Sequence, residues 1–519
     1  MSPARATGQR RLAAVLGSLM LVMLLAALDQ TIVATALPTI VGDLGGLEHL
    51  SWVVTAYLLA QTVVTPLYGK LGDLYGRKRV LQGAIILFLV GSALCGLAQS
   101  MPELILFRAV QGLGGGGLMV GAQAALGDVV PARQRGRYTG LFIAIFGAAS
   151  VAGPLLGGFI TTNLSWQWIF YINLPLGFLA FAVLAATFPT VPRGAHHSID
   201  YLGTLLLAAG LTAVVLATTL GGNTLGWTSP LMILLAGGGA LALVAFALVE
   251  RRATEPVLPP RLWRIRTFRV TSAVGLIIGF SLFGAVTFLP LFQQVVRGLS
   301  PTASGLQLLP LMGGLMLSSV ISGRLIARTG HYRKYPIIGT GMTVVGLLLL
   351  STMDSGTTEL MAASFMAVLG LGLGMVMQVL ILAVQNDAPY ADLGVATAGA
   401  TLFRSIGGSL GTAALGAVFT NRLISELDAR LPAGAGAGLH SGSIDPRAVA
   451  ALPGPVHQAY LDGFASALST VFLAAAAISV VAFALTWLIR EVPLRTTLRE
   501  EPMPGEAPVD APRLSPAAR

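Results

Sequence analysis

Gly69-Lys70-Leu71-Gly72-Asp73-Leu74-Tyr75-Gly76-Arg77-Lys78-Arg79 stands between two apolar runs in the first half of the chain. Gly323-Arg324-Leu325-Ile326-Ala327-Arg328-Thr329-Gly330-His331-Tyr332-Arg333 stands between two more in the second half. Aligned, the stretches match Gly69 with Gly323, Lys70 with Arg324 and Gly76 with Gly330. Glycine permits a tight turn, and basic side chains hold that turn at a membrane surface. Matching basic turns in two halves of an apolar chain mark an internally duplicated membrane transporter.

The surrounding sequence agrees. Of 519 residues, 10% are charged and 55% hydrophobic, against roughly 25% charged in a soluble domain, and the mean hydropathy is +0.78. A soluble enzyme, a nucleic-acid binder and a disordered chain are excluded on this balance. A bilayer-spanning helix needs ~20 apolar residues. Such runs begin near Leu12, Ser51, Val80, Glu103, Tyr138, Trp168, Tyr201, Pro230, Val270, Ala303, Pro336, Glu359, Ala396 and Phe464. Fourteen spans are therefore expected. They divide the chain into an N-terminal segment (1–11), a six-helix bundle (12–190), two inserted helices (199–250), a basic loop (251–269) and a second six-helix bundle (270–490). A long Gly/Ala/Pro-rich loop is expected at 421–463, read either as a linker or as a hairpin over the exit path. A disordered tail is expected at 491–519.

Net charge is +10, and its distribution explains it. With the N-terminus inside, 26 of the 32 Lys and Arg fall in inner loops or termini, four fall outside, and Arg108 and Arg404 lie within helices. This is the positive-inside bias. It predicts cytoplasmic termini and basic loops facing anionic lipid, with no nucleic-acid partner. The first apolar run is too long for a signal peptide and carries Asp29, so it reads as a retained helix. Cys95 is the single cysteine, and the histidines, including adjacent His196 and His197, fall in loops without further ligands at metal spacing. No metal and no cofactor is expected. Arg outnumbers Lys 29 to 3, which suggests a GC-rich bacterial source. Gly112-x-Gly114-x-x-Gly117 satisfies a dinucleotide-binding pattern, but inside an apolar helix and after no strand it signals no nucleotide site.

The first basic turn resembles the loop 2–3 signature of the major facilitator superfamily. Leu28-Asp29-Gln30-Thr31-Ile32-Val33, continuing to Ala36-Leu37-Pro38, resembles the first-helix motif of its fourteen-helix drug:H+ antiporters. Arg108-Ala109-Val110-Gln111-Gly112 is similar to their fourth-helix motif. Gly147 with Gly153-Pro154-Leu155-Leu156-Gly157-Gly158 is similar to the fifth-helix antiporter motif, and Trp166–Pro175 to the start of helix six. One departure stands out: Gln167 occupies a position where the family usually has arginine. The resemblance implies an all-α major facilitator fold, with helices 1–6 and 9–14 as pseudo-symmetric bundles and helices 1, 4, 9 and 12 lining a central cavity. It further implies a proton-driven exporter, monomeric in the bacterial plasma membrane, whose partners are protons, lipid and small lipophilic molecules.

Asp29 is the one acid well inside a span, and it shares a depth with Arg108 on helix 4. An ion pair follows from that depth, and a charge so placed is expensive and commonly functional. The pair reads either as the proton-coupling site, with proton and cargo competing at Asp29, or as a polar tie between helices. Gly69, Lys70, Asp73, Gly76, Arg77 and Lys78 read as an inner-side latch, although some of the basic residues serve topology alone. Gly153, Pro154 and Gly157 suit either a bent, close-packed helix between lobes or plain packing. Tyr57, Gln61, Gln111, Phe283, Phe288, Met375 and Gln378 are candidates for the cargo cavity, by aromatic attraction of lipophilic cations or by pliant Met packing. Each is equally placed for packing or for facing lipid. An uptake symporter, an exporter of one cell-made compound and a membrane-embedded enzyme are the rival classes. The last would need a paired catalytic constellation, which Asp29 and Arg108 alone do not supply.

Overall fold

A computed structural model describes residues 3–44, 50–188, 200–221, 226, 228–254, 256–299, 301–430 and 454–495. Among the described residues there are fourteen long helical segments, numbered in chain order. They are α1 Pro3–Leu44, α2 Leu50–Tyr75, α3 Arg77–Leu97, α4 Met101–Val129 and α5 Ala132–Asn163. Next come α6 Trp168–Thr187, α7 Tyr201–Leu220, α8 Pro230–Glu250, α9 Arg266–Val296 and α10 Ala303–Thr329. The last four are α11 Lys334–Ser351, α12 Glu359–Asp387, α13 Tyr390–Arg430 and α14 Gly454–Thr486. Among the described residues twelve are long and apolar enough to cross a membrane; α2 and α5 are equally long but are not among the twelve.

Helix starts follow capping chemistry, in which a short oxygen-bearing side chain satisfies a first-turn N–H. Asp200 accepts from the Gly203 N–H at 2.8 Å, and Ser229 from the Met232 N–H at 3.2 Å. Inside the helices, glycine sets the spacing. A Cβ on Gly112 would lie 2.3 Å from the Tyr57 carbonyl oxygen of α2, and one on Gly114 2.4 Å from the Phe88 nitrogen of α3. The glycines of the false nucleotide pattern thus let three helices close on one another.

The duplication is visible in the packing. In the first lobe α1 packs on α5 and α6, α4 on α2 and α3, and α3 on α6. In the second lobe α9 packs on α13 and α14, α12 on α10 and α11, and α11 on α14, which repeats the same scheme eight helices later. The aligned turn glycines agree, since Gly76 (φ 91°) and Gly330 (φ 76°) both adopt the left-handed backbone that favours glycine. Across the lobes α2 meets α13 and α5 meets α10, while α7 and α8 pair and α7 touches both α2 and α13.

Three boundaries differ from the sequence reading. The expected 421–463 loop is helical at both ends: α13 runs on to Arg430 and α14 begins at Gly454. Arg422 and Arg430 each pair with Glu426 one turn away, and Ser466 donates to Glu426 at 3.0 Å, while Leu423 and Leu427 on the other face are buried in the second-lobe core. The rest of that loop lies outside the described residues, as do His196 and His197. The tail expected to be disordered from 491 begins in contact with the protein. Glu491 accepts from the Tyr332 N–H at 2.8 Å, and the Arg495 N–H donates to Asn386 at 3.0 Å. Residues after 495 lie outside the description. The segment 1–11 was expected to precede the first helix, yet α1 already begins at Pro3.

Candidate transport site

Asp29 and Arg108 meet. Arg108 Nη1 donates to Asp29 Oδ2 at 2.9 Å, and both side chains are buried inside the first lobe. The other carboxylate oxygen accepts from Gln111 Nε2 at 2.8 Å and from Asn173 Nδ2 at 2.9 Å. The donors are themselves held: Ser92 Oγ accepts from Gln111 at 2.6 Å and from Asn173 at 3.1 Å. Arg108 also donates to Gln111 Oε1 at 2.6 Å and to the Val53 carbonyl at 3.2 Å, and its guanidinium lies 4.2 Å from the centre of the Tyr57 ring. Five helices, α1, α2, α3, α4 and α6, thereby close around one carboxylate. A buried charge is tolerable only when it is paired and hydrogen-bonded in this way.

Asp29 is 0% exposed, so a cargo between the lobes does not touch it in this conformation. The residues proposed for the cargo cavity separate accordingly. Tyr57 and Gln111 belong to the Asp29 enclosure. Phe288 is buried in the second-lobe core, its ring 5.6 Å from that of Phe419. Gln378 is buried and accepts from Ser319 on α10. Phe283 is 41% exposed and lies against Gly408 of α13. Gln61 and Met375 are half-buried, and Gln61 accepts from Gln30 Nε2 at 2.9 Å. Sequence reasoning missed Ser92 and Asn173 as partners of Asp29. The available signal was a lone amide, Asn173, beside an apolar run in the helix-six motif.

The first basic turn bridges the lobes. Asp73 Oδ1 accepts from the Gly394 N–H at 3.1 Å and Oδ2 from the Val395 N–H at 2.9 Å. These are free donors of the first turn of α13, where a negative charge is favoured. Arg77 pairs with Asp73, reaches Asp128 at 3.3 Å and donates to the Gly69 carbonyl at 3.3 Å. Gly69 is required by proximity, because a Cβ there would lie 2.6 Å from Ala398 Cβ. Lys78 donates to the Ala185 carbonyl at 2.6 Å within its own lobe, and Lys70 is buried. A second tie joins α5 to α12 through Arg135 and the Gln385 carbonyl at 3.5 Å. Directly behind Val395, Arg261 holds Asp392 with two bonds of 2.6 and 2.7 Å, a contact the sequence did not reveal.

The helix-five glycines act on two neighbours. Gly153 faces α1, where a Cβ would lie 2.1 Å from Thr31 Oγ1, two residues beyond Asp29. Gly147 faces Met316 of α10 across the lobe boundary, at 2.4 Å from its sulfur by the same measure. Gly157 is buried and its carbonyl accepts from Thr161 at 2.8 Å, whereas a Cβ on Gly158 meets nothing within 4 Å. The Pro154 side chain lies outside the described residues.

Two similar helical bundles, tied together by the contacts of Asp73 and enclosing an ion pair, are the architecture of a multi-pass membrane transporter and not of an enzyme. The sequence profile of the Major Facilitator Superfamily matches residues 19–412, and the chain belongs to that family. It is 45% identical over 478 residues to an uncharacterized MFS-type transporter of Mycobacterium tuberculosis, covering 91% of this chain and 68% of the relative. It is 42% identical over 425 residues to the multidrug transporter protein MdtP of Bacillus subtilis, covering 80% and 78%. The solved proton:xylose symporter XylE shares the fold at a TM-score of 0.59 and 16% identity, covering 92% of this chain and 96% of that one.

Proposed function

We propose that the chain exports lipophilic small molecules from the bacterial cytoplasm in exchange for protons, crossing the plasma membrane fourteen times with both termini inside. The observation that carries this reading is the enclosed Asp29–Arg108 pair, an ionisable group held deep in a transporter lobe. Multidrug relatives support the cargo class. Protonation of Asp29 releases Arg108, Gln111 and Asn173 from a common acceptor and so loosens the packing of α1 against α3, α4 and α6. Cargo acts on the same helix through Gln30, the next residue in α1, which reaches Gln61 on α2. Competition between proton and cargo is therefore indirect, transmitted along α1. The Asp73 latch closes the cytoplasmic side while the opposite side exchanges cargo for a proton. One charge moved across 100 mV supplies ~2.3 kcal/mol per cycle.

The test is proton release on cargo addition in proteoliposomes loaded with a pH dye, with one cationic (ethidium) and one anionic (dansylglycine) lipophilic molecule as cargo. Asp29→Asn is expected to abolish the release; an undiminished signal removes Asp29 from the coupling. A second reading, export of one cell-made compound, draws on the 35% identity over 76% of this chain to a transporter of the acurin A biosynthesis cluster of Aspergillus aculeatus. A susceptibility panel in a pump-deficient host separates the two: protection against several unrelated drugs supports the broad exporter, and protection against none supports the dedicated one.

A further inference from the structure

We infer that Arg404, midway along α13, is an anion-binding subsite on the side of that helix turned toward α9 and α12, taking the carboxylate, sulfonate or phosphate group of an amphiphilic cargo. This rests on the export reading and narrows its cargo class.

The neighbours of α13 fix the direction of Arg404. Gly394 and Ala398 meet α2, and Ala400, Gly407 and Gly411 meet α9. Thr397 accepts from Gln385 of α12 at 3.0 Å. Leu402 and Ile406 pack in the cluster that holds Leu207 and Leu211 of α7. At 100° per residue, Arg404 falls within about 20° of Thr397 and about 160° from Leu402 and Ile406. It faces the α9–α12 side, away from α7. Ten residues separate it from Gly394, so it stands about 15 Å beyond the latch, near the bilayer middle.

At that depth Arg404 itself stays partly open. Arg404 and Ser405 are half-buried, as is Gln61, eight residues before Gly69 on the facing helix α2. The first lobe presents a neutral pair there, Gln30 bonded to Gln61. Asp29, next to Gln30 in α1, is enclosed and already holds three donors. The other buried arginines are all engaged: Arg108 with Asp29, Arg77 with Asp73 and Asp128, and Arg135 with backbone carbonyls. Arg404 alone among them has no hydrogen bond, ion pair or ring contact among the described residues.

A guanidinium in this position is a fixed positive charge in poor solvent with open donors. Its planar fork matches a carboxylate, sulfonate or phosphate with two parallel bonds. Such a charge repels lipophilic cations, so the cationic or neutral cargo that the sequence suggests gives way to molecules bearing an acidic group. Half-buried Met375 on α12 offers a pliant contact for the apolar part.

The test uses the full chain in detergent and two probes with one fluorophore, dansylglycine (anionic) and dansylcadaverine (cationic). The wild type is expected to bind dansylglycine at least tenfold more tightly. Arg404→Met should weaken dansylglycine tenfold or more and leave dansylcadaverine unchanged, and Arg404→Lys should recover part of the loss. Arg404→Gln replaces the Met variant if that one does not give a monodisperse protein. Failure of the wild type to prefer the anion, or an anion preference that survives loss of the charge, overturns the proposal. Binding needs no gradient. A protein that binds dansylglycine through Arg404 yet releases no proton in vesicles refutes export and leaves the subsite standing; gradient-driven release without anion preference does the reverse.

Discussion

The Asp73 carboxylate on α2 accepts from the Val395 N–H of α13 at 2.9 Å, joining residues 322 positions apart across the lobe boundary. Its other oxygen takes the adjacent Gly394 N–H at 3.1 Å. The helix start provides donors with no partner of their own, and the carboxylate provides charge. Neither strand of this tie exists once the lobes separate at that end.

Asp73→Asn is therefore expected to loosen this tie between the lobes. An amide retains one acceptor but turns an NH2 toward a second N–H, and the charge is lost. Hydrogen bonds to a charged group contribute ~1.5–3 kcal/mol, equivalent to roughly a ten- to hundredfold shift in a two-state equilibrium. Spin labels near the latch ends of α2 and α13 are expected to show a long-distance population that grows in the variant. Unchanged distance distributions would show that Asp73 does not hold the closed state.

Removal of Asp29 alone leaves Arg108 buried and unpaired. Breaking a buried pair in this way costs ~3–5 kcal/mol. Asp29→Asn should accordingly lower the thermal unfolding midpoint in detergent, and Asp29→Asn/Arg108→Gln should recover most of it. Cargo-driven proton release should stay absent in both. Recovery of the release along with the stability would reduce the pair to a polar tie.

The legible parts of the molecule were those written locally. The two basic turns gave the duplication, and both turn glycines are left-handed. Equal depth brought Asp29 to Arg108, because straight helices convert residue counts into height. Depth does not give rotation, however. Gln111 and Tyr57 therefore looked like cavity residues when they point into the lobe, and Ser92 and Asn173 stayed unnoticed on α3 and α6. Apolarity also hid helix that no bilayer demands: the end of α13 is charged and is held by the Arg422–Glu426–Arg430 ladder. The Arg261–Asp392 pair spans 131 residues between two irregular turns and has no local signature.

Two glycines of α5, five residues apart, should respond differently to one methyl group. Gly153→Ala drives a Cβ to 2.1 Å from Thr31 Oγ1, which itself donates to the Ala149 carbonyl at 2.9 Å. Forced repacking of this kind costs ~1–3 kcal/mol. Gly158→Ala meets open space and should be neutral. Unfolding midpoints of the two variants check this, with Gly153→Ala/Thr31→Gly expected to regain part of the loss. Equal midpoints for the two single variants would refute the close α1–α5 approach.

Arg261 is expected to support the same tie from behind. Its side chain is largely exposed while that of Asp392 is buried, and the two bonds fix the turn immediately before Leu393, Gly394 and Val395. Screening of the exposed Arg261 limits what the pair contributes, but its loss leaves the buried Asp392 carboxylate without this partner, so the unfolding midpoint should fall. The consequence for the lobes lies in geometry, since the N–H groups that Asp73 needs lose their anchor. Arg261→Ala is expected to shift the same spin-label distances in the direction of Asp73→Asn. Arg261→Lys should fall between, because a single ammonium cannot reproduce the two-bond fork. Combined with Asp73→Asn it should add little, as the anchor matters only while the carboxylate is present; full additivity would place Arg261 outside the latch.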